Sequence, residues 1–259
     1  PEVETMRRGL FPTVGSTIET ITIPISRYRP LSIEPDIDTL RLRSQGARIE
    51  RIDRLGKRVL VMLDCGDALV FQPKMAGLVL IDSPPSPEHV RLVITLAQGP
   101  VERILYWDRR GLGTIRMWSS NEIRAFLEQG TLGPDVLAVD FPSFLARYRD
   151  CKREVKPALL DQALVAGIGN LYAAEILHQA RVHPEMRCHE ISRVAWRRIY
   201  QATQSILLQA IEQEGSTLSD GTYRNALNIN GQYQSSHQVY DRAGKACLRC
   251  QKQNIERIV

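Results

Sequence analysis

Lys156-Pro157-Ala158-Leu159-Leu160-Asp161-Gln162-Ala163-Leu164-Val165-Ala166-Gly167-Ile168-Gly169-Asn170-Leu171-Tyr172-Ala173-Ala174-Glu175 is the stretch on which the fold turns. Pro157 suits a first helical turn, where its missing N–H costs nothing, and residues 158–161 continue that helix. Gly167-Ile168-Gly169-Asn170 interrupts it. Residues 171–180 resume a second helix, which His183-Pro184 stops. The glycines allow the backbone to approach another surface closely. Free amides at the second helix's start, the Asn170 side chain and the charge of Lys156 would together suit a phosphate. An ordinary helix–turn–helix corner carries the same pattern, and the residues alone leave the two readings level.

Outward from this corner the chain is helical on both sides. Residues 121–129 and 142–148 read as helices, and Ser192 caps a long amphipathic helix to about Glu214, closed by Gly215. Residues 216–236 are polar and contain glycine, which predicts a loop. Before residue 120 the period drops to two. Residues 17–23 and 47–52 alternate, and residues 57–63 pass through Asp64-Cys65-Gly66-Asp67 into 68–71, a hairpin signal. Further strands are predicted at 90–96, 101–106 and 113–118. Val3, Met6, Leu10 and Phe11 share one face of a short opening helix. The expectation is an α+β protein: an N-terminal β-sandwich domain with flanking helices over 1–120, a helical domain over 121–236, and a small C-terminal module from 237 to 259.

The 259 residues carry 34 Lys and Arg against 29 Asp and Glu, a net charge of +5. Fourteen of the basic and ten of the acidic residues fall after residue 150, so the excess sits in the shorter C-terminal part. This favours a polyanionic partner. Apolar residues make up 43% and charged residues 24%, an ordinary globular composition that argues against wholesale disorder. No apolar run is long enough for a membrane helix. Five cysteines argue against a disulfide framework and for a reducing compartment. Cys247-Leu248-Arg249-Cys250 is half of a tetrahedral zinc site, or a chance pairing, and His237 is a candidate third ligand. Residues 255–259 alternate as a strand in progress, so the sequence is expected to stop inside a small zinc module.

The corner at 156–175 closely resembles the helix–two-turn–helix motif of the formamidopyrimidine-DNA glycosylase/Nei family of DNA repair enzymes. Other segments match in order. Pro1-Glu2-Val3-Glu4-Thr5-Met6-Arg7-Arg8-Gly9-Leu10 is similar to the family opening. Lys57 falls at the family's β-hairpin lysine. Met75-Ala76-Gly77 resembles its Met-Ser/Thr-Gly loop, and Asp108-Arg109-Arg110-Gly111-Leu112-Gly113 its Asp-Pro-Arg-Arg-Phe-Gly loop. Gln238-Val239-Tyr240 through Cys250 looks like the entrance to its zinc finger.

The resemblance implies a bifunctional DNA glycosylase and AP lyase that excises oxidised purines from duplex DNA and acts as a monomer. It extrudes the damaged base and attacks the sugar with an N-terminal proline amine to form a Schiff base. Pro1 would be that nucleophile, Glu2 the acid/base, and Lys57 a phosphate contact that assists catalysis. Met75, Arg110 and Leu112 would fill the gap left by the extruded base. Lys156 and Asn170 would hold the backbone. Cys247 and Cys250 would be the first pair of ligands to one structural zinc ion, the second pair lying beyond this sequence. The region around Tyr223-Arg224-Asn225 and Gly231-Gln232-Tyr233 would be a lesion-covering loop or a mobile connector. Glu175 is open between a functional role and a helix-stabilising one.

The chain departs from the family pattern at several points. The family opens Pro-Glu-Leu-Pro-Glu-Val-Glu-Thr, so Pro1-Glu2 aligns with the second Pro-Glu. Either three residues have been trimmed or a deletion makes Pro1 the reacting amine. Gln72-Pro73-Lys74 stands where the family has His-Leu-Gly. Gly111 replaces an arginine and Leu112 an aromatic residue. These departures keep other readings in play: a glycosylase for oxidised pyrimidines and a non-catalytic binder of damaged or abasic DNA. Cys247, Cys250 and the basic surface taken alone also suit a zinc-dependent RNA-binding or structural module.

Overall fold

The computed structural model describes residues 1–258. The chain forms two compact units. The first comprises Pro1–Glu128 with Ile211–Gln232, and the second comprises Gln129–Ala210 with the chain from Tyr233 onward.

The first unit opens with α1 (Glu2–Gly9), which buries Met6 against the sheets; Leu10 follows it into the core. Phe11, expected on the same face, is 45% exposed and lies under the Arg7 guanidinium. Nine strands follow: β1 (Thr17–Thr22), β2 (Ser32–Glu34), β3 (Ile49–Leu55), β4 (Arg58–Leu63), β5 (Asp67–Gln72), β6 (Gly77–Leu80), β7 (Val90–Ala97), β8 (Arg103–Asp108) and β9 (Thr114–Ser119). They form a four-stranded sheet in the order β1-β7-β8-β6 and a five-stranded sheet in the order β2-β9-β5-β4-β3. All neighbours are antiparallel except β2 and β9. One apolar core takes residues from both sheets, so the predicted sandwich is present.

Strand alternation explains the layering. In β4, Val59, Val61 and Leu63 enter the core between the sheets, while Leu60 and Met62 face outward. The outward pair joins Ala68 and Val70 of β5 under Trp118 and Ile123, the latter on α3 (Ser120–Glu128). Both faces of β4 and β5 are therefore buried, and these strands read as apolar runs rather than clean alternation. The predicted hairpin turn closes on Gly66, whose φ of +88° suits glycine. Lys57, predicted at the start of a strand, instead shares a two-residue turn with Gly56, because Leu55 pairs directly with Arg58.

Three short elements have no counterpart in the sequence reading: β2, β6 and α2 (Ile37–Ser44). β6 has four residues, all buried, and shows no alternation. Asp36 caps α2: its carboxylate accepts the N–H of Asp38 at 3.1 Å and of Thr39 at 3.0 Å. The segment 211–232, expected among the helices, lies instead with the first unit. There the Ile81 N–H donates to the Ala226 carbonyl at 2.9 Å, and Gly9 packs on the Ala226 side chain. Polar loop composition gives no hint of such long-range pairing.

The second unit is helical, with α4 (Phe141–Tyr148), α5 (Val155–Leu160), α6 (Asn170–Ala180) and most of α7 (Arg193–Glu212). Its core stacks Tyr148 on Trp196 at 5.2 Å, with Phe144 edge-on to Trp196 at 6.1 Å. Ser192 caps α7 as predicted, its hydroxyl accepting the Ala195 N–H at 3.2 Å. Residues 255–258 are not a strand. The chain there closes a short hairpin through the single bridge between Ala246 and Asn254, and Val259 lies outside the described residues. No described helix is long and apolar enough to cross a membrane.

Candidate nucleic-acid interface and catalytic residues

The predicted catalytic residues meet in the first unit. Pro1 precedes α1, and its amine lies 3.9 Å from the Glu2 carboxylate. Burial holds that amine below its ordinary value of 8.0. Glu2 pulls it up, and the positive charges of Arg54 and Lys57 push it down. Lys57 is half-buried at the β3–β4 turn; burial lowers its ammonium from the ordinary 10.5, and Glu2 opposes that shift. A second carboxylate braces this corner. Glu4, 9% exposed, accepts two hydrogen bonds from Arg7 (2.8 and 3.0 Å), one from Arg8 (2.9 Å) and one from Arg54 (2.9 Å). Burial alone would push Glu4 up, but the three guanidiniums together bring it down to about 2. Sequence reading misses this role, because Arg54 is far from Glu4 along the chain.

The predicted wedge residues also belong to the first unit. Met75 is 71% exposed, on a turn that Lys74 enters with a φ of +52°. A lysine takes the left-handed conformation there, at a position where the resembling family has glycine. Arg110 is exposed, and its guanidinium reaches the Met75 sulfur at 3.3 Å. Leu112 is half-buried at the far side of the same loop. The segment 216–232 has no strand or helix, yet it is cross-braced. The Thr217 hydroxyl donates to the Tyr223 carbonyl at 2.7 Å and accepts the Gly231 N–H at 2.9 Å. The Asn225 side-chain amide donates to Glu214 at 2.7 Å. The Ser216 N–H donates to Glu2 at 3.3 Å.

In the second unit the glycine corner is built by residues that the sequence left unremarked. Asp161 pairs with Arg153 at 2.7 Å and accepts the Ala163 N–H at 2.9 Å. Gln162 staples the turn: its oxygen accepts the Gly167 N–H at 3.0 Å, and its amide donates to the carbonyls of Leu160 (2.7 Å) and Ile168 (3.1 Å). Gly167 has a φ of +120°, and a β-carbon there would come within 2.9 Å of Val136. Ile168 is fully buried and anchors the turn, whereas Asn170, the first residue of α6, is exposed. Lys156 sits in the first turn of α5, half-buried. Asn170 thus stands exposed at the N-terminus of α6, the end of a helix that attracts anions.

Glu175 has a definite task. It is 2% exposed and accepts the N–H groups of Gln238 (2.9 Å), Val239 (3.0 Å) and Tyr240 (2.8 Å), tying that segment to α6. The Cys247–Cys250 turn is tight, with Cys247 N–H to Gln253 carbonyl at 2.8 Å and Gln251 N–H to Cys247 carbonyl at 2.9 Å. The backbone N–H groups of Lys252 and Gln253 beside the Cys250 sulfur favour the thiolate and hold its thiol below the ordinary value. Two thiols on such a turn fit half of a tetrahedral zinc site. His237 does not join them; its ring packs between Tyr233 at 5.7 Å and Tyr240 at 5.9 Å. Among the described residues no three His, Cys, Asp or Glu side chains are grouped to hold a metal.

Comparison with known proteins agrees with this layout. Residues 1–115 match the formamidopyrimidine-DNA glycosylase N-terminal domain and residues 132–222 the formamidopyrimidine-DNA glycosylase H2TH domain. The chain is 36% identical to the formamidopyrimidine-DNA glycosylase of Streptococcus pyogenes serotype M3 over 96% of its length and 90% of the relative's. It is also 36% identical to that of Chloroflexus aurantiacus, over 100% and 91%. Among solved structures, the MutM (Fpg) protein from Thermus thermophilus superposes with a TM-score of 0.86 at 33% identity, covering 100% of this chain and 92% of that one. A Lactococcus lactis Fpg mutant in complex with DNA containing Fapy-dG superposes with a TM-score of 0.87 at 29% identity, covering 100% and 93%. With the sandwich, the stapled glycine corner and these matches over nearly the whole length, the chain belongs to the formamidopyrimidine-DNA glycosylase family.

Proposed function

We propose that this protein is a base-excision repair DNA glycosylase and AP lyase that removes oxidised purines from duplex DNA through an N-terminal proline Schiff base, Pro1 being the nucleophile where its nitrogen is the terminal amine. The observation that carries this reading is the convergence of the Pro1 amine, the Glu2 carboxylate and the Lys57 ammonium in one half-buried corner. The amine's lone pair attacks the sugar's anomeric carbon, the bond to the damaged base breaks, and the base leaves with the bonding electrons and a proton. The nitrogen then gives up its proton and its lone pair opens the sugar ring, the ring oxygen leaving with the C1′–O bonding electrons and taking a proton; the iminium so formed makes the C2′ proton acidic, and β-elimination expels the 3′ phosphate and cuts the strand. Glu2 serves as the acid/base, and Lys57 holds the phosphate beside the lesion. Because burial lowers the Pro1 amine, more of it is free base at neutral pH than in an exposed α-amino group. Activity is therefore expected to rise with pH and reach its plateau at a lower pH than an unburied amine would give.

Met75, Arg110 and Leu112 fill the space left by the extruded base, Arg110 facing the base opposite. Leu112 fills volume there without the stacking of an aromatic ring. Lys156 and the start of α6 at Asn170 hold the sugar-phosphate chain. Zinc, when bound, would order the C-terminal module, with Cys247 and Cys250 supplying two of four ligands. The protein would act as a monomer in the cytoplasm, on the chromosome.

Duplexes containing oxidised guanine, an oxidised pyrimidine or no lesion separate the readings. Excision of the purine first is expected. Faster excision of the pyrimidine would favour the alternative substrate class, and tight lesion binding without product would favour a binder. Lys156→Ala and Asn170→Ala should both weaken duplex binding, and the lysine variant should also lower the slope of log affinity against log salt by about 1. Filter binding across a salt series checks this, and unchanged affinity and slope in both variants would contradict the placement.

A further inference from the structure

The Met75–Arg110 pair is only as well placed as the loop beneath it. Asp108 ends β8 and is fully buried, although it is a carboxylate in a β-rich core. One of its oxygens accepts the N–H groups of Arg110 and Gly111, both at 2.9 Å, and the other accepts the Gly113 N–H at 2.8 Å. A single side chain thereby pairs three loop amides that would otherwise be unsatisfied. The carbonyl of the same residue accepts the Arg91 Nε–H at 2.9 Å. Arg91 is itself 5% exposed, donates to the Ser26 hydroxyl at 2.9 Å and lies 5.1 Å from the Tyr28 ring centroid. On the other side, Tyr106 is completely buried against both wedge loops: a β-carbon at Gly77 or at Gly113 would collide with its hydroxyl.

We infer that Asp108 and Arg91 are positioning residues that fix the 108–113 loop so that Arg110 meets the base opposite the lesion in one orientation. They set specificity for that base without touching DNA. This inference rests on the proposed wedge role of Arg110. Neither side chain is needed for strand geometry, since β8 pairs with β6 and β7 through its backbone. Their shared target is the loop backbone. A loop held by one carboxylate and one guanidinium has its conformational cost met before DNA arrives, which is the condition for a base-edge contact to discriminate.

The test measures single-turnover excision of oxidised guanine placed opposite each of the four bases, together with amide exchange. Asp108→Asn keeps the volume but sets an NH2 group against the backbone N–H groups. Arg91→Lys keeps the charge but loses the two-point grip on Ser26 and the Asp108 carbonyl. Both are expected to flatten the spread of rates among the four opposing bases by about tenfold, the discrimination of one good base-edge pair. Both should also speed exchange at Arg110, Gly111 and Gly113. Arg110→Ala separates positioning from contact. If it flattens the spread while Asp108→Asn and Arg91→Lys leave it intact, the positioning role alone is overturned. If Arg110→Ala leaves the spread intact, the wedge reading falls and takes this inference with it. A variant that lowers melting temperature and slows all four substrates equally marks a merely structural role and also overturns it. Should Asp108→Asn fail to fold, Arg91→Lys and the wild-type exchange rates decide: rapid exchange of those three amides in the folded wild-type protein is incompatible with the cradle.

Discussion

Glu2→Gln is expected to slow base excision by about 10²- to 10⁴-fold, the usual contribution of a positioned general acid or base. The substitution is nearly isosteric. The amide oxygen can still accept the Ser216 N–H that the carboxylate accepts at 3.3 Å, so the loop anchored there should remain in place. What disappears is a proton carrier 3.9 Å from the Pro1 amine. The charge also disappears, and it is this charge that raises both the Pro1 amine and Lys57. In the variant both groups should lose protons more readily, so the amine remains a competent nucleophile. Strand cleavage at a preformed abasic site should therefore fall much less than base excision. Single-turnover assays on lesion and abasic duplexes measure the two separately. Excision within about threefold of wild type would remove Glu2 from the mechanism.

Glu4→Gln is the substitution expected to cost most in stability, about 2 kcal/mol at neutral pH. Removing one partner from a buried ion network strands the others, and three guanidiniums converge on this carboxylate. The sign with pH follows from the lowered carboxyl. Its ordinary value is 4.5 and its folded value about 2, so its stabilisation is complete above 4.5 and fades as pH falls towards 2. The gap between wild type and variant in thermal or urea unfolding should be constant from pH 7 to 5 and close below that. A gap that widens with acid, or is absent at pH 7, would show that the network contributes nothing net. Because Arg54 lies in the same cluster and lowers the Pro1 amine, the variant should also perturb the catalytic corner.

What the sequence discloses follows from the range of each interaction. The glycine corner is legible because Gly167 needs its positive φ locally, and the 64–67 turn because Gly66 does. Ser192 announces its helix through a bond three residues away. The Asp108 cradle is not legible, since a loop aspartate bonded to the next few amides has the same letter as a solvated one. Gln162 is silent for the same reason. Glu175 stays open on sequence alone because its three partners lie more than sixty positions downstream. Residues 216–236 read as a polar loop within the helical domain; the place of Ala226 beside Ile81 and Gly9 rests on contacts that no local pattern encodes. The cysteine pair is visible as half a ligand set, and the candidate third ligand, His237, is excluded only by the tyrosines that enclose its ring.

At the centre of this mechanism a proline amine becomes covalently joined to the sugar of an extruded, oxidised purine nucleotide. Incubating the protein with a duplex carrying oxidised guanine in the presence of borohydride tests it directly, because reduction fixes the iminium as a stable protein–DNA bond. The expected result is a cross-linked species whose peptide map places the sugar on the N-terminal proline nitrogen, with nicked strand formed when borohydride is left out. Absence of both the cross-link and the nick, or a cross-link that maps to Lys57, would contradict it.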